Sequence, residues 1–372
     1  MSGPLASLSV VEFSGLGPAP LAGQLLVDMG ARVITIDRAS APADPTDINR
    51  RGKHSVALNL KSSEGRDAAK SLIAKADILI EGFRPGVMER LGLGPLDCDD
   101  HLIYGRMTGW GQEGALAQTA GHDINYLAMT GALHAIGPAG HPPVAPLNLV
   151  ADYGGGAMFL IFGLLSALVE RGISGKGQVV DAAMCDGVPA MMGLLHSLQA
   201  QGTWRPEREA NWLDGGAPFY RCYECADGKS ISVGALEPQF FAQLVEKAGL
   251  PHPGPTAQND RARWATDREE FARVFKTKTR DAWVALFEGS DACVAPVLDF
   301  REAPLHPRNV ERGGFYQDQN VPQASPAPRF SRSAPSRPTS PKPIGADTEA
   351  ILSDLGYDAA EIARMRATGA LT

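Results

Sequence analysis

The stretch Val10-Val11-Glu12-Phe13-Ser14-Gly15-Leu16-Gly17-Pro18-Ala19-Pro20, which is followed by Leu21 to Met29 and then by Ala31-Arg32-Val33-Ile34-Thr35-Ile36-Asp37, decides the fold class. Its apolar run, its Gly/Pro turn, its helically spaced leucines and its second apolar run predict a strand, a turn, a helix and a second strand. Such a βαβ unit places its two strands parallel in one sheet. We therefore predict an α/β fold with a largely parallel sheet.

The same alternation continues to about residue 185 and then changes. Further strands are predicted at 55–60, 77–80, 102–107 and 179–184, and further helices at 63–75 and 155–171. From Phe219 onward, a hairpin around Asp227-Gly228 and helices starting near Pro238, Asp267 and Thr279 predict a smaller α+β region. Asp358-Ala359-Ala360-Glu361 has the form of a capping box for a last helix.

These patterns divide the chain into two domains joined by two connections. A stretch rich in Pro and Ser, 320–345, is typical of an extended segment. The predicted parts are a large domain of 1–185 and 331–372, a linker over 186–217, a small domain over 218–312 and a return linker over 313–330.

Composition excludes several classes of function. The chain has 372 residues, 44% of them hydrophobic, and a formal net charge of -7, which argues against nucleic acid as a partner. An odd, scattered set of five cysteines is typical of reduced thiols in a cytoplasmic protein, and no second pair completes a zinc site with Cys222 and Cys225. The first residues lack a basic signal region, and the apolar run 157–168 is too short to span a bilayer, so we expect a buried helix and no membrane partner.

Eight basic residues are grouped in the first part of the chain, several of them at predicted strand ends, where open α/β sheets bind ligands. They are Arg38, Arg50, Arg51, Lys53, Lys61, Arg84, Arg90 and Arg106. Arg84 lies between glycines and before Pro85, a setting that suits a ligand with several phosphates. Gly15 and Gly17, with Asp37 after the next strand, imitate a dinucleotide-binding fingerprint, but Pro20 holds its third glycine position and the motif is weak.

A histidine and an aspartate precede two glycine-containing helices, in Gly121-His122-Asp123-Ile124-Asn125-Tyr126 and Ala151-Asp152-Tyr153-Gly154-Gly155-Gly156. Two such groups can remove a proton from one face of a carbon and return it to the other. Helix starts also offer free N–H groups to an oxyanion, and we expect the Asp123 N–H to serve. The residues alone equally allow structural roles: a hydrogen-bonded His122, and Asp152 and Glu237 as N-caps.

Motifs spread along nearly the whole chain resemble the family III CoA-transferase (CaiB/BaiF) superfamily. They are Asn49-Arg50-Arg51-Gly52-Lys53, Leu58-Asn59-Leu60-Lys61, the run from Glu81-Gly82-Phe83-Arg84 to Gly92, Thr108-Gly109-Trp110-Gly111-Gln112 and Arg329-Phe330-Ser331-Arg332. Within the superfamily, the segments 121–126 and 234–240 resemble the α-methylacyl-CoA racemase branch. Ala151 departs from the pattern, since glycine precedes the aspartate in that branch.

The resemblance implies a Rossmann-like large domain, a smaller domain and two linkers through which two subunits interlock as a homodimer. It implies a CoA thioester as substrate and no metal or organic cofactor. It places proton transfer on His122 and Asp152, with Glu237 as the partner of the histidine. The CoA- and substrate-binding positions that it implies are Arg38, Leu58, Asn59, Leu60, Lys61, Gly82, Phe83, Arg84, Arg90, Gly121, Ile124, Asn125, Tyr126, Ala151, Tyr153, Gly154, Gly155 and Gly156.

The function expected from this resemblance is interconversion of (R)- and (S)-2-methylacyl-CoA thioesters through an enolate. The alternative enzyme class is CoA transfer between carboxylic acids, with Asp152 as nucleophile. A third reading is a CoA-binding scaffold without activity. Transfer needs no second base, so His122 and Glu237 favour the isomerase. The acyl chain stays open, although Met107, Met129 and Met158 could line an adaptable apolar surface.

Overall fold

The structure is a computed structural model that describes residues 2–372, so Met1, where our predicted large domain begins, lies outside the described residues. The chain forms two compact units. The first contains the chain up to Thr130, Leu147–Met191 and Pro307–Thr372, and the second contains Gly131–Pro146 and Met192–His306. In this division, residues 131–146 join the smaller unit and residues 186–191 the larger one, whereas the sequence pattern placed the boundaries at 185 and 218.

Six strands and six helices form the first part of the larger unit. In chain order they are β1 (Ser9–Phe13), α1 (Pro18–Asp28), β2 (Arg32–Asp37), β3 (His54–Ala57), α2 (Ser63–Ile73), β4 (Ile78–Glu81), α3 (Val87–Arg90), β5 (Ile103–Thr108), α4 (Asp123–Met129), α5 (Phe159–Ser174), β6 (Val179–Ala183) and α6 (Met184–Met191).

The six strands form one parallel sheet in the order β3-β2-β1-β4-β5-β6. From β1 the chain builds outward to β2 and β3, then returns to the other side of β1 and continues to β6. This is the strand order of doubly wound nucleotide-binding folds, in which a crevice forms at the carboxyl ends of the strands where the order reverses. The prediction of a parallel α/β sheet is confirmed, and β1 and β4 flank its reversal point.

The smaller unit has its own antiparallel sheet and its own core. Its elements are α7 (Gly193–Ala200), β7 (Tyr220–Glu224), β8 (Ser230–Gly234), α8 (Pro238–Ala248), α9 (Trp264–Phe275), α10 (Arg280–Phe287) and β9 (Val294–Pro296). Buried aromatic rings of Phe219, Phe241, Phe271, Phe275 and Trp283 fill this core. The predicted hairpin around Asp227-Gly228 is the β7–β8 pair. Cys225 is buried there and Cys222 is exposed.

The last segment of the chain belongs to the larger unit. It contains α11 (Pro307–Glu311), the hairpin of β10 (Phe315–Asp318) and β11 (Val321–Ala324), α12 (Thr348–Asp354) and α13 (Ala359–Ala367). The predicted capping box at the start of α13 is confirmed, because the Glu361 N–H donates to Asp358 and the Asp358 N–H donates to Glu361, both at 2.8 Å.

Two predicted boundaries were wrong. Helix α1 begins at Pro18 rather than Leu21, since proline suits the first helical position. The strand predicted at 55–60 ends at Ala57, because the chain leaves β2 there and meets the C-terminal segment instead. Leu58 forms a single bridge with Leu371, and the Asn59 N–H donates to the Ala370 carbonyl at 2.9 Å.

The helix predicted at 155–171 is longer than its apolar run. It begins at Leu149 with ten residues of wide π-helical turns, Leu149–Met158, and continues as α5 to Ser174. These 26 residues have a mean hydropathy of 1.6 and are long and apolar enough to cross a bilayer by length and composition, a criterion that core helices of soluble proteins also meet. Only 28% of its most apolar window is buried. The prediction of a buried helix was therefore wrong for one face, where Phe162 and Ile173 are exposed.

Candidate active site

A cavity of about 560 Å³ lies where the strand order of the larger unit reverses. Its walls come from the turns that follow β1, β4 and β5, from the segment that leads into α4, and from the start of the long helix. The lining residues are Leu16, Gly17, Pro18, Ala19, Gly82, Phe83, Arg84, Pro85, Met107, Thr108, Gly109, Trp110, Ala117, Thr119, Ala120, Gly121, His122, Tyr126, Asn148, Asp152 and Met184. The two predicted proton-transfer groups, His122 and Asp152, thus share one cavity.

His122 is the N-cap residue of α4, and its side chain is exposed on the cavity wall. Its backbone N–H donates to the Asn125 Oδ1 at 3.1 Å, which secures the helix start. Its imidazole forms no hydrogen bond with any residue from 2 to 372. A structural role as a hydrogen-bonded histidine is therefore not observed, and both ring nitrogens are open to a ligand.

The segment that carries His122 is held by Tyr126. The Tyr126 hydroxyl donates a hydrogen bond to the Gly121 carbonyl, and its ring meets Trp110 edge to face with centroids 4.8 Å apart. A methyl group at Gly109 or Gly121 would overlap this ring. Both glycines are thus required by close approach rather than by backbone freedom, and they fix the position from which His122 enters the cavity.

Asp152 is the fourth residue of the π-helical segment and is partly buried. The alternative reading of Asp152 as an N-cap was wrong, because the helix begins three residues earlier, after Asn148. Burial raises the pKa of the Asp152 carboxyl above its ordinary value, and the negative charge of Asp123 raises it further. A hydrogen bond from Asn148 and the proximity of His122 act in the opposite direction.

Asp123 follows His122 and lies in the first turn of α4. Its N–H donates to no acceptor within the described part of the chain, as expected for a helix start. The N–H groups of Ala151 and Asp152, in contrast, both donate to the Asp123 carboxylate. The predicted oxyanion donor, the Asp123 N–H, is therefore still available, whereas the two competing donors are occupied.

Four of the eight basic residues are committed to ion pairs inside the larger unit, which we call the buried ion-pair layer. These pairs are Lys53 with Glu12 at 2.7 Å, Arg50 with Asp37 at 2.7 Å, Arg51 with Asp28, and Arg106 with Glu81 at 3.0 Å. Asp37 also accepts from the Ser55 hydroxyl. The acid of the imitated dinucleotide fingerprint is thus already saturated, which speaks against a ribose-binding role.

The other four basic side chains are exposed and form no hydrogen bond or ion pair between residues 2 and 372. We call them the free cations: Arg38, Lys61, Arg84 and Arg90. Arg84 lines the cavity directly, after the end of β4. Their charges are uncompensated by the described chain and are available to an anionic ligand.

The structure brings only part of the predicted binding set to the cavity wall. Gly82, Phe83, Arg84, Gly121 and Tyr126 line it together with the two acid–base groups. The positions outside its lining are Arg38, Leu58, Asn59, Leu60, Lys61, Arg90, Ile124, Asn125, Ala151, Tyr153, Gly154, Gly155 and Gly156.

The three glycines after Asp152 serve the packing of the helices. A methyl group at Gly155 would overlap Val188 of α6, and one at Gly187 would overlap the Gly155 carbonyl. A methyl group at Gly156 would lie within 3.1–3.3 Å of Met184 and Pro18. The glycine run thus lets the start of the long helix lie close to α6 and α1, which brings Asp152 to the cavity.

Glu237, the third predicted catalytic residue, belongs to the smaller unit. It is exposed at the N-cap position of α8, directly before Pro238, as the N-cap reading expected. Its side chain, however, makes no capping hydrogen bond. Its carboxylate is therefore free to act on another group.

Sequence reasoning missed the cavity residues Leu16, Pro18 and Asn148. The turn after β1 carried a signal, because turns at the carboxyl ends of parallel strands line ligand crevices. Asn148 carried none, since it precedes a helix whose start the glycine run concealed. Residues 2–372 contain no cluster of three or more His, Cys, Asp or Glu side chains that could hold a metal ion.

Residues 5–348 match the sequence profile of a family described as CoA-transferase family III. The chain is 43% identical to an α-methylacyl-CoA racemase of Mus musculus over 97% of this chain and 96% of that protein. It is also 43% identical to an α-methylacyl-CoA racemase of Homo sapiens, over 96% of this chain and 95% of that protein.

More distant relatives have other activities. A succinyl-CoA:glutarate CoA-transferase of Mus musculus is 27% identical over 99% of this chain and 90% of that protein. Among solved structures, a CaiB/BaiF family protein from Brucella suis aligns with a TM-score of 0.79 and 26% identity, covering 95% of this chain and all of that one.

Proposed function

The chain belongs to CoA-transferase family III, and within that family we propose that it interconverts (R)- and (S)-2-methylacyl-CoA thioesters. One observation carries the proposal: a free imidazole and a carboxylate, His122 and Asp152, line the same cavity at the crevice of the sheet. Racemisation needs two groups that differ in basicity, one for each face of the reacting carbon. The activity named for relatives 43% identical over nearly the whole chain supports this choice.

In the proposed reaction, one group removes the proton from C2 and the other delivers a proton to the opposite face. For one enantiomer a neutral His122 is the base, and for the other an ionised Asp152 is the base. The pKa of Asp152, raised by burial and by Asp123, makes this carboxylate a stronger base than an ordinary aspartate. Glu237 would be the partner that orients or relays the proton of His122.

The intermediate is an enolate, whose oxygen needs a preorganised donor. The free N–H of Asp123 at the start of α4 fits this task. Loss of such a donor typically costs about 3 kcal/mol of transition-state stabilisation. The CoA moiety would be bound by the free cations, Arg84 first, since its phosphates match uncompensated positive charge. The chemistry requires no metal or organic cofactor, so activity should survive dialysis against a chelator.

CoA transfer is the alternative, supported by the more distant relatives. There Asp152 would attack the thioester to form an acyl anhydride with release of CoA. That reaction leaves the free imidazole of His122 in the cavity without a task, so the geometry favours racemisation.

The deciding experiment incubates one enantiomer of a 2-methylacyl-CoA with the enzyme in deuterated water. We expect deuterium at C2 together with inversion, and loss of inversion in His122→Ala and in Asp152→Asn, by two or more orders of magnitude. Asp152→Asn keeps the shape and removes the basicity. CoA transfer to an added acid, without deuterium at C2, would instead establish the transferase.

We also propose that the protein is a homodimer whose subunits interlock through the segments 186–217 and 313–330. The exposed apolar face of α5 supports this, because Phe162 is 71% exposed and Ile173 85% exposed. Light scattering should give twice the 39.4 kDa chain mass. An active monomer would contradict the dimer, and co-flotation with lipid vesicles would instead assign the apolar face to a membrane.

A further inference from the structure

Asp123 makes contacts that its backbone role does not explain. Its side chain is 6% exposed, and one carboxylate oxygen accepts two hydrogen bonds, from the Ala151 N–H at 2.9 Å and from the Asp152 N–H at 2.8 Å. The other oxygen, Oδ1, is buried and has no hydrogen-bond partner in the described chain. A buried carboxylate that is only half satisfied is costly, and such groups in native structures call for an explanation.

This carboxylate joins the two halves of the site. Asp123 follows His122 directly in α4, whereas its two donors lie in the first turn of the long helix. N–H groups in the first turn of a helix have no partner within that helix. If Asp123 left them free, they would be two further donors beside the Asp152 side chain, and the thioester oxygen would have more than one place to bind.

We propose that the Asp123 carboxylate is a positioning residue that locks the Asp152 turn to the His122 turn and places a fixed negative charge beside the Asp152 carboxylate. The inference rests on the proposed racemisation and deepens it. Asp123 thereby leaves one donor, its own N–H, for the enolate oxygen, and it keeps the two bases at a fixed separation.

The charge matters because the start of a long helix favours the ionised form of a carboxylate there. An aspartate stabilised in this way would be a weak base. The titratable groups that act on Asp152 or on its neighbour Tyr126 are His122, Asp123, Tyr126, Cys185 and Arg84. Burial raises the pKa of Asp152 most, and among the charged groups that act on Asp152 itself, Asp123 raises it and His122 lowers it. Asp123 is thus the charge that keeps Asp152 basic.

The test compares Asp123→Asn with Asp123→Ala. The amide oxygen of asparagine can still accept from both N–H groups but carries no charge, whereas alanine removes the contact and the charge. We expect Asp123→Ala to lower kcat about a hundredfold with a modest change in KM, as for a misplaced base. We expect Asp123→Asn to retain more activity and to move the acid limb of the kcat/KM profile to lower pH, because Asp152 loses its negative neighbour.

A second measurement does not need activity. In protein labelled with ¹³C at the aspartate carboxyl carbons, the Asp152 resonance is identified by its loss in Asp152→Asn. Its titration midpoint should fall in Asp123→Asn relative to the wild type. An unchanged midpoint and an unchanged pH profile in a folded Asp123→Asn protein would overturn the inference. If the wild type shows no deuterium exchange while the midpoint still moves, the proposed racemisation fails and the coupling of the two carboxylates stands.

Discussion

The cation of Lys53 in the buried ion-pair layer touches both oxygens of Glu12 and the Pro20 carbonyl, whereas the guanidinium of Arg84, one of the free cations, touches no polar group of residues 2–372. Both residues belong to the motifs that carry the family resemblance, and both lie in the larger unit. The difference between them is the burial of an acidic partner. A basic residue near a strand end therefore indicates an anionic ligand only when no buried carboxylate has already neutralised it.

The largest expected effect breaks the buried side of this comparison. Lys53→Met leaves the Glu12 carboxylate fully buried without its cation, and burial already raises the pKa of Glu12. We expect a loss of about 3–5 kcal/mol in the free energy of unfolding, measured by denaturant titration. The double variant Glu12→Gln/Lys53→Met should recover much of this loss, because no unpaired charge remains. A loss below about 1 kcal/mol in the single variant would show that Glu12 is not ionised in the folded protein.

A second effect arises at Glu81, whose pKa is raised to about 7, chiefly by burial, although Arg106 opposes the shift. The folded protein then keeps a proton that the unfolded chain releases near pH 4.5. The stability from this group is complete below pH 4.5 and is lost as the pH rises through 7, by about 3 kcal/mol in all. Thermal or denaturant unfolding between pH 4.5 and 8 should show this decline, and Glu81→Gln should lack it. Parallel curves for both proteins would contradict the shift.

On the free side, Arg84→Ala should act on binding alone. Loss of a charge-assisted contact with a CoA phosphate should raise KM for the thioester about tenfold or more, with little change in kcat, because the contact is present before and during the reaction. Arg273→Ala is the matched control, since Arg273 is exposed on α9 and pairs only with Glu270. A lower kcat at unchanged KM would place Arg84 at the reacting carbon instead.

The smallest effects are expected at Arg38 and Lys61, which are exposed and lie outside the cavity lining. Each alanine variant should raise KM only two- to fivefold, about 0.5–1 kcal/mol, as for exposed charge pairs. Because salt screens such interactions, the difference from the wild type should disappear near 1 M salt. A salt-independent increase in KM would indicate a desolvated contact, like that expected of Arg84.

Local sequence patterns were sufficient for the parallel sheet and for the helix starts at Pro238 and Asp358, because the signals lie within a few residues of one another. They were insufficient wherever a partner lies far away in the chain. Leu58 leaves the expected strand to meet Leu371, and Arg51 is held by Asp28 and by the Ala324 carbonyl. No local pattern records these contacts.

The site was predictable in its chemistry and less so in its geometry. His122 and Asp152 were identified from their settings at helix starts and from the family resemblance. The glycine run 154–156 concealed the start of the long helix, because glycine weakens the helical pattern, and so Asn148 and the true place of Asp152 in the helix were missed. The carboxylate of Asp123 was overlooked because its donors lie 28 and 29 residues away.

The wide turns of Leu149–Met158 give the chain an angular setting that an ordinary helix would not have. Each residue advances an α-helix by about 100°, so the number of residues between Phe159 and Asp152 determines the direction in which the carboxylate points. Deleting one residue from the glycine run would allow the segment to tighten to α-helical turns, with every helical contact of α5 intact. Asp152 would then point about 100° away from its present direction, and the enzyme would keep its fold and its ligand while one of its two bases faced away from the substrate.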